Sequence, residues 1–226
     1  MQENMVYIIA GHYGSGKTEF SINFARYLLN RGRSVTLADL DIVNPYFRSR
    51  EKAEELAACG IHVVSNNYEN DNLVDAPAIS CEVQSLFLDR HKDGVVDLGG
   101  DAVGATVLRC YRELIRKNKY ELWFVINANR YMTPDADAVC KYMDEIRCAC
   151  GLDFTGLVNN THLLHETSVE DVQKGDVFAK EVSNRTKLPV KFTCCPAALR
   201  AEIEALGVVG EVMDMKVNLR PDWLQI

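Results

Sequence analysis

The chain has 226 residues, room for one α/β domain with a buried core but short for two, so residues 1–226 are read as a single domain. Its formal charge of -7 argues against a general binder of nucleic acid or membrane surface, since either would usually carry a basic face. No apolar run approaches the ~20 residues of a membrane span. The start, Met1-Gln2-Glu3-Asn4, lacks the basic flank of a signal peptide, and eight cysteines in a chain this size read as reduced thiols. A cytoplasmic protein is expected.

In chain order, Met5 to Ala10 is a continuous apolar run ending at glycine, the pattern of a buried parallel strand. Glu19 to Asn30 reads as a helix with Phe20, Phe24 and Leu28 on one face and Gly32 past its end. Ser34 to Leu40 is a second strand, Arg50 to Ala58 a helix, Ile61 to Val64 a short strand and Ile79 to Arg90 a helix. Gly94 to Leu98 is a strand and Thr106 to Lys117 a helix. Leu122 to Ala128 is a strand, and Asp135 to Cys148 a helix with Pro134 at its start. Thr155 to Asn159 is a strand, Glu166 to Arg185 contains a helix, Leu188 to Phe192 is a strand and Ala197 to Leu206 a last helix. Repeated βα units imply a mostly parallel sheet of about seven strands with helices on both faces. Ligands of such sheets bind beyond the carboxyl ends of the strands.

The first such position holds Gly11-His12-Tyr13-Gly14-Ser15-Gly16-Lys17-Thr18, which fits G-x-x-x-x-G-K-[ST] between an apolar strand and an amphipathic helix. Glycines let backbone N–H groups close around phosphates, and the helix N-terminus points its positive end at the same anion. Lys17 supplies a charge to the β and γ phosphates, and the Thr18 hydroxyl can ligate magnesium. Gly11, Tyr13, Gly14, Ser15, Gly16, Lys17, Thr18 and Glu19 are therefore the expected nucleotide contacts, with ATP and magnesium as ligands. Asp39 and Asp41 close the second strand, and Asp97 follows Val95-Val96. A carboxylate so placed can hold a magnesium-bound water, or be no more than a loop aspartate or helix cap.

With these motifs the sequence resembles the MinD/ParA/CobQ-type P-loop ATPases, along nearly its whole length. Within that group it is most similar to bacterial ATP-binding proteins with a Gly-His-Tyr-Gly-Ser-Gly-Lys-Thr-Glu loop. The resemblance rests also on Asp39-Leu40-Asp41-Ile42-Val43-Asn44-Pro45-Tyr46-Phe47, Asp97-Leu98-Gly99-Gly100-Asp101 and Gly156-Leu157-Val158-Asn159-Asn160. It implies an ATPase in which Lys17, Asp41 and Asp97 serve catalysis. Asp41 would position the attacking water with Asp39 as its partner at the strand end. Asp97 would be the Walker B carboxylate, reaching magnesium through water, and Gly99-Gly100 the mobile second switch. Asn160 would read the adenine edge, with Pro196 and Ala197 flanking the base. The family's loop begins with a lysine that crosses a nucleotide-dependent homodimer to the partner's phosphates. Here that position is His12, only partly charged near neutral pH, so a substitute cation is sought in Arg48, Arg50 or Arg130.

Lesser signals leave alternatives open. Cys148 and Cys150 end a helix, and read either as packing or as half of a metal set shared by two chains, as in a metal-insertion ATPase. Cys194-Cys195 reads as packing at the sheet edge. Cys59, Cys81, Cys110 and Cys140 read as small core residues. His162 and His165 are loop histidines with a metal or substrate role as the sharper reading. Arg109, Arg112, Arg116, Lys117 and Lys119 read as a solvated helix face, with DNA binding as the weaker alternative. Ser65 to Pro77 reads as a surface loop. The function expected is an ATPase switch acting on a partner protein. Its rival is a phosphotransferase or ligase whose small-molecule substrate sits at residues 65–77 with Arg48 and Arg50.

Overall fold

A computed structural model of the chain describes residues 4–41, 52–65, 81–89 and 91–219. Eight strands form one sheet, every pairing parallel, in the order β3-β2-β4-β1-β5-β6-β7-β8. They are β1 Val6–Gly11, β2 Val35–Leu40, β3 His62–Ser65, β4 Asp93–Leu98, β5 Tyr120–Ile126, β6 Gly156–Asn159, β7 Val190–Pro196 and β8 Glu211–Met215. The helices are α1 Lys17–Asn30, α2 Ala53–Ala58, α3 Cys81–Leu88, α4 Ala102–Ala105, α5 Arg112–Lys117, α6 Ala136–Cys150, α7 Val169–Thr186 and α8 Arg200–Ala205. The chain runs out from β1 to β2 and β3, returns through β4, and then builds away on the other side from β5. The strand order therefore reverses around β1, which places the crevice of a doubly wound sheet beyond that strand's carboxyl end.

The sequence dictates this layering locally. The central strands carry apolar residues on both faces because both faces are covered. Ile8, Val96 and Phe124 belong to one core layer with Val139, Met143 and Ile146 of α6. Ile9, Leu37 and Val125 belong to the other with Phe20, Phe24 and Leu28 of α1. Helix starts follow capping chemistry: Asp135 accepts from the Ala138 N–H, and Ser168 forms a reciprocal capping box with Asp171.

Three expectations need correction. The strand count is eight because Glu211–Met215 pairs with β7 as an edge strand, so Cys194-Cys195 is not at the sheet edge. The stretch from Thr106 to Lys117 is a 3-10 turn over Thr106–Tyr111 followed by the short α5. The β-branched Thr106-Val107 pair favours the α-helix poorly at that start. Cys59, Cys81 and Cys110 are exposed and Cys140 is half-buried: Cys59 caps the end of α2, and the other three lie on helical turns whose apolar neighbours occupy a different face. All eight cysteines are free thiols. No helix among the described residues is long and apolar enough to cross a membrane.

Candidate functional site

The phosphate loop runs from the end of β1 to the start of α1. Gly14 and Gly16 take φ values of +76° and +84°, left-handed backbone that glycine adopts without strain. Space excludes a side chain too: a Cβ on Gly16 would meet the Asn160 amide nitrogen at 2.4 Å and His162 Nε2 at 3.0 Å. A Cβ on Gly100 would meet the Tyr13 amide at 3.1 Å and Lys17 Nζ at 3.2 Å, so the segment after β4 presses its backbone against the loop.

The carboxylates converge on Lys17 because β2 and β4 pair in register, with Asp39 opposite Asp97. Lys17 Nζ lies 3.2 Å from Asp41 Oδ2, and both side chains are almost fully buried. The Asp41 amide donates to Asp39 Oδ1 at 3.1 Å. Asp97 receives the Ser21 hydroxyl at 3.3 Å. Burial pushes the Asp97 carboxyl up to about 7. Lys17 opposes that shift, Asp39 adds to it, the Thr18 hydroxyl opposes it, and Asp41 adds to it. Asp97 Oδ2 and Ser15 Oγ are buried without a well-formed hydrogen bond among the described residues. An oxygen acceptor next to Thr18 and a hydroxyl inside the loop fit a hydrated divalent cation and a phosphate.

Asn160, just past β6, packs under the loop. Its amide nitrogen donates to the Ser15 carbonyl at 2.9 Å, an atom that can only accept, which fixes the orientation of the side chain. Beside it lies a mainly apolar pocket enclosing about 420 Å³ including its open mouth, walled by Asn160, His162, Cys194, Pro196, Lys216 and Val217. A second, larger cleft of about 860 Å³ including solvent at its mouth is walled by Tyr13, Gly14, Lys17, Thr18 and Arg130. The two meet at Glu19, His162 and Leu164, which line both.

The Arg130 guanidinium stands 3.2 Å from where a Cβ on Gly14 would be, and among the described residues no carboxylate pairs with it. Arg48, Arg50 and residues 66–77 lie outside the described residues. His12 turns away from the cleft: its ring Nδ1 lies 2.8 Å from the Tyr13 carbonyl and its ring packs on Tyr142 at 4.9 Å between centroids. Tyr142 in turn donates its hydroxyl to the Gly100 carbonyl, and burial, reinforced by Asp101 and Glu145, pushes the phenol up to about 12. Cys148 is exposed while Cys150 is buried, so α6 does not offer two thiols on one face. His165 is exposed, away from these walls. Asn23, Tyr142 and the segment 216–219 were not anticipated as parts of the site. Asn23 alone carried a signal, as a polar residue in a largely buried helix.

A phosphate loop on the central strand of a doubly wound parallel sheet, with carboxylates at the neighbouring strand ends, defines a P-loop nucleotide-binding domain. The sequence profile of the CobQ/CobB/MinD/ParA nucleotide binding domain matches residues 6–192, and the chain belongs to that family. Among solved structures it is similar to cell division protein FtsY from Thermotoga maritima, at 20% identity and a TM-score of 0.55, covering 83% of this chain and 60% of that one. It is similar to FtsY from Mycoplasma mycoides at 17% identity and a TM-score of 0.53, with 84% and 60% covered. Signal recognition particle receptor FtsY from Elizabethkingia anophelis, in complex with GDP, matches at 19% identity and a TM-score of 0.52, with 84% and 57% covered. The chain thus spans about 60% of the length of these proteins, and the likeness is one of fold. No curated protein matches the sequence.

Proposed function

We propose that the chain binds ATP with magnesium and hydrolyses it slowly, as a switch read by a partner protein. The observation that carries this is the junction of the phosphate-loop cleft with an apolar pocket at Glu19, His162 and Leu164, a shape that suits a triphosphate at one end and a base at the other. Thr18 and, through water, Asp97 would hold magnesium, which offsets charge on the β and γ phosphates when bound. Lys17 binds the same phosphates and gives up Asp41 to do so, leaving that carboxylate to orient a water. With its nitrogen held by the Ser15 carbonyl, Asn160 has its amide oxygen left for a donor. The adenine amino group is such a donor, which suits ATP. Arg130 is the cation we assign to the work of the absent lysine, acting within one chain.

Exposed Tyr13, Val103, Tyr131 and Leu163 follow the carboxyl ends of β1, β4, β5 and β6. They support docking of a partner, or of a second copy, at the nucleotide end. Eight free thiols fit a reducing, cytoplasmic setting. Calorimetry with ATP and magnesium tests the binding, and release of inorganic phosphate tests the turnover. No heat of binding at millimolar ATP, or equal binding by Lys17→Ala, would remove the proposal.

A further inference from the structure

Strand β8 ends at Met215, yet the chain beyond it stays ordered against α1 without a sheet partner. Backbone groups of Lys216, Asn218 and Leu219 are bonded instead by side chains from a single face of that helix. Glu19 and Asn23 stand four residues apart, and Arg26 three further on, so all three project together. The Asn23 amide donates to the Lys216 carbonyl at 2.8 Å and accepts from the Lys216 N–H at 3.0 Å, mimicking one rung of a sheet. The Glu19 carboxylate accepts from the Asn218 and Leu219 backbone N–H groups, at 2.9 and 2.8 Å, and from the Asn218 side chain at 2.9 Å. Arg26 donates to the Asn218 side-chain oxygen and bonds Glu55 of α2 at 2.8 Å.

This strap is also a wall. Lys216 and Val217 line the apolar pocket, and Leu219 lines the phosphate cleft. Glu19, which anchors the strap, directly follows Thr18 of the phosphate loop. We propose that Glu19 and Asn23 are positioning residues that hold the strap Lys216–Leu219 in place, so that Lys216 and Val217 form the outer wall of the base pocket and the grip on the base is set by the strap, the grip on the phosphates by the loop. This rests on the nucleotide reading above. Charge-assisted hydrogen bonds to a carboxylate are the stronger kind, so Glu19 should contribute more than Asn23.

The two grips separate by ligand. Inorganic tripolyphosphate reaches the loop and has no base to press on the strap. Calorimetry on the full chain with magnesium would compare ATP and tripolyphosphate for the unaltered protein, Asn23→Ala, Glu19→Gln and Glu19→Ala. Asn23→Ala is expected to weaken ATP about tenfold and tripolyphosphate by less than about twofold. Glu19→Ala should weaken ATP further, with Glu19→Gln, which keeps one acceptor oxygen, between it and the unaltered protein. Unchanged ATP affinity in Asn23→Ala and Glu19→Ala would overturn the role of the strap while leaving the nucleotide reading intact. So would an equal loss for both ligands in Asn23→Ala, which would mean damage to α1 as a whole. If the unaltered protein binds tripolyphosphate and ATP alike, the base pocket is wrong; if it binds neither, the nucleotide reading falls and the strap with it.

Discussion

Lys17 and Asp41 hold each other at 3.2 Å in a buried site, so a phosphate arriving at the loop must compete with a carboxylate for its lysine. Asp39 and Asp97 still surround the lysine when Asp41 is neutral. Asp41→Asn should therefore raise the melting-temperature shift on adding ATP, because Lys17 loses its nearest carboxylate and is released to the phosphates. Turnover should fall by about 10²-fold or more if Asp41 orients the water. Thermal melts with and without ATP, alongside a phosphate-release assay, check both halves. A smaller shift with ATP than in the unaltered protein would contradict the competition.

Asp97 carries a pH signature. Its folded carboxyl titrates at about 7, above the 3.8 of the free side chain, so the folded state binds the extra proton between those values. Its contribution to stability is present at the low end of that window and is lost as pH rises toward 7. Denaturant unfolding of the nucleotide-free protein should show a steeper loss of stability between pH 5 and 7 than in Asp97→Asn, which has nothing to titrate there. Parallel curves would place the carboxyl in its ordinary range.

Glycine 16 is fixed twice, by a left-handed backbone and by the Asn160 amide 2.4 Å from any added Cβ. Gly32 shares the left-handed backbone, at φ +75°, but faces nothing within 4 Å. Gly32→Ala should cost about 1 kcal/mol from backbone strain alone. Gly16→Ala should cost clearly more and abolish ATP binding. Equal losses for the two variants in a denaturant titration would show that Asn160 yields without penalty.

Arg130 is the cation nearest the loop that no carboxylate among the described residues neutralises. If it stabilises charge only as the phosphate bond breaks, Arg130→Ala should reduce turnover about 10²-fold or more with ATP affinity nearly intact. Arg130→Lys should recover part of it. A loss of affinity equal to the loss of turnover would make Arg130 a ground-state contact instead.

Most of the scaffold was legible because it is local chemistry. Apolar runs ending at glycine or aspartate gave the central strands, and the phosphate loop announced itself by spacing. Strand β8 escaped notice because Glu211 and Asp214 break its apolar character; only the turn glycines Gly207 and Gly210 hinted at it. Asp39, Asp41 and Asp97 could be placed near Lys17 from strand ends alone, since parallel register brings such ends together. The choice of Arg130 for a site beside the loop could not, nor could the engagement of the Asn160 amide by the loop. Both depend on how segments far apart in the chain meet.

Glu19 and Asn218 are separated by 199 residues, and the contact between them completes a pocket wall. Such a contact closes a loop of 199 residues, the kind of non-local pairing whose closure entropy slows folding. During synthesis α1 and the phosphate loop leave the ribosome before the strap, and the pocket stays without its outer wall until residue 219 has followed. On the nucleotide reading proposed above, the residues that face the phosphates are all in place once Asn160 is made, so a nascent chain would have them well before it has the wall of the base pocket.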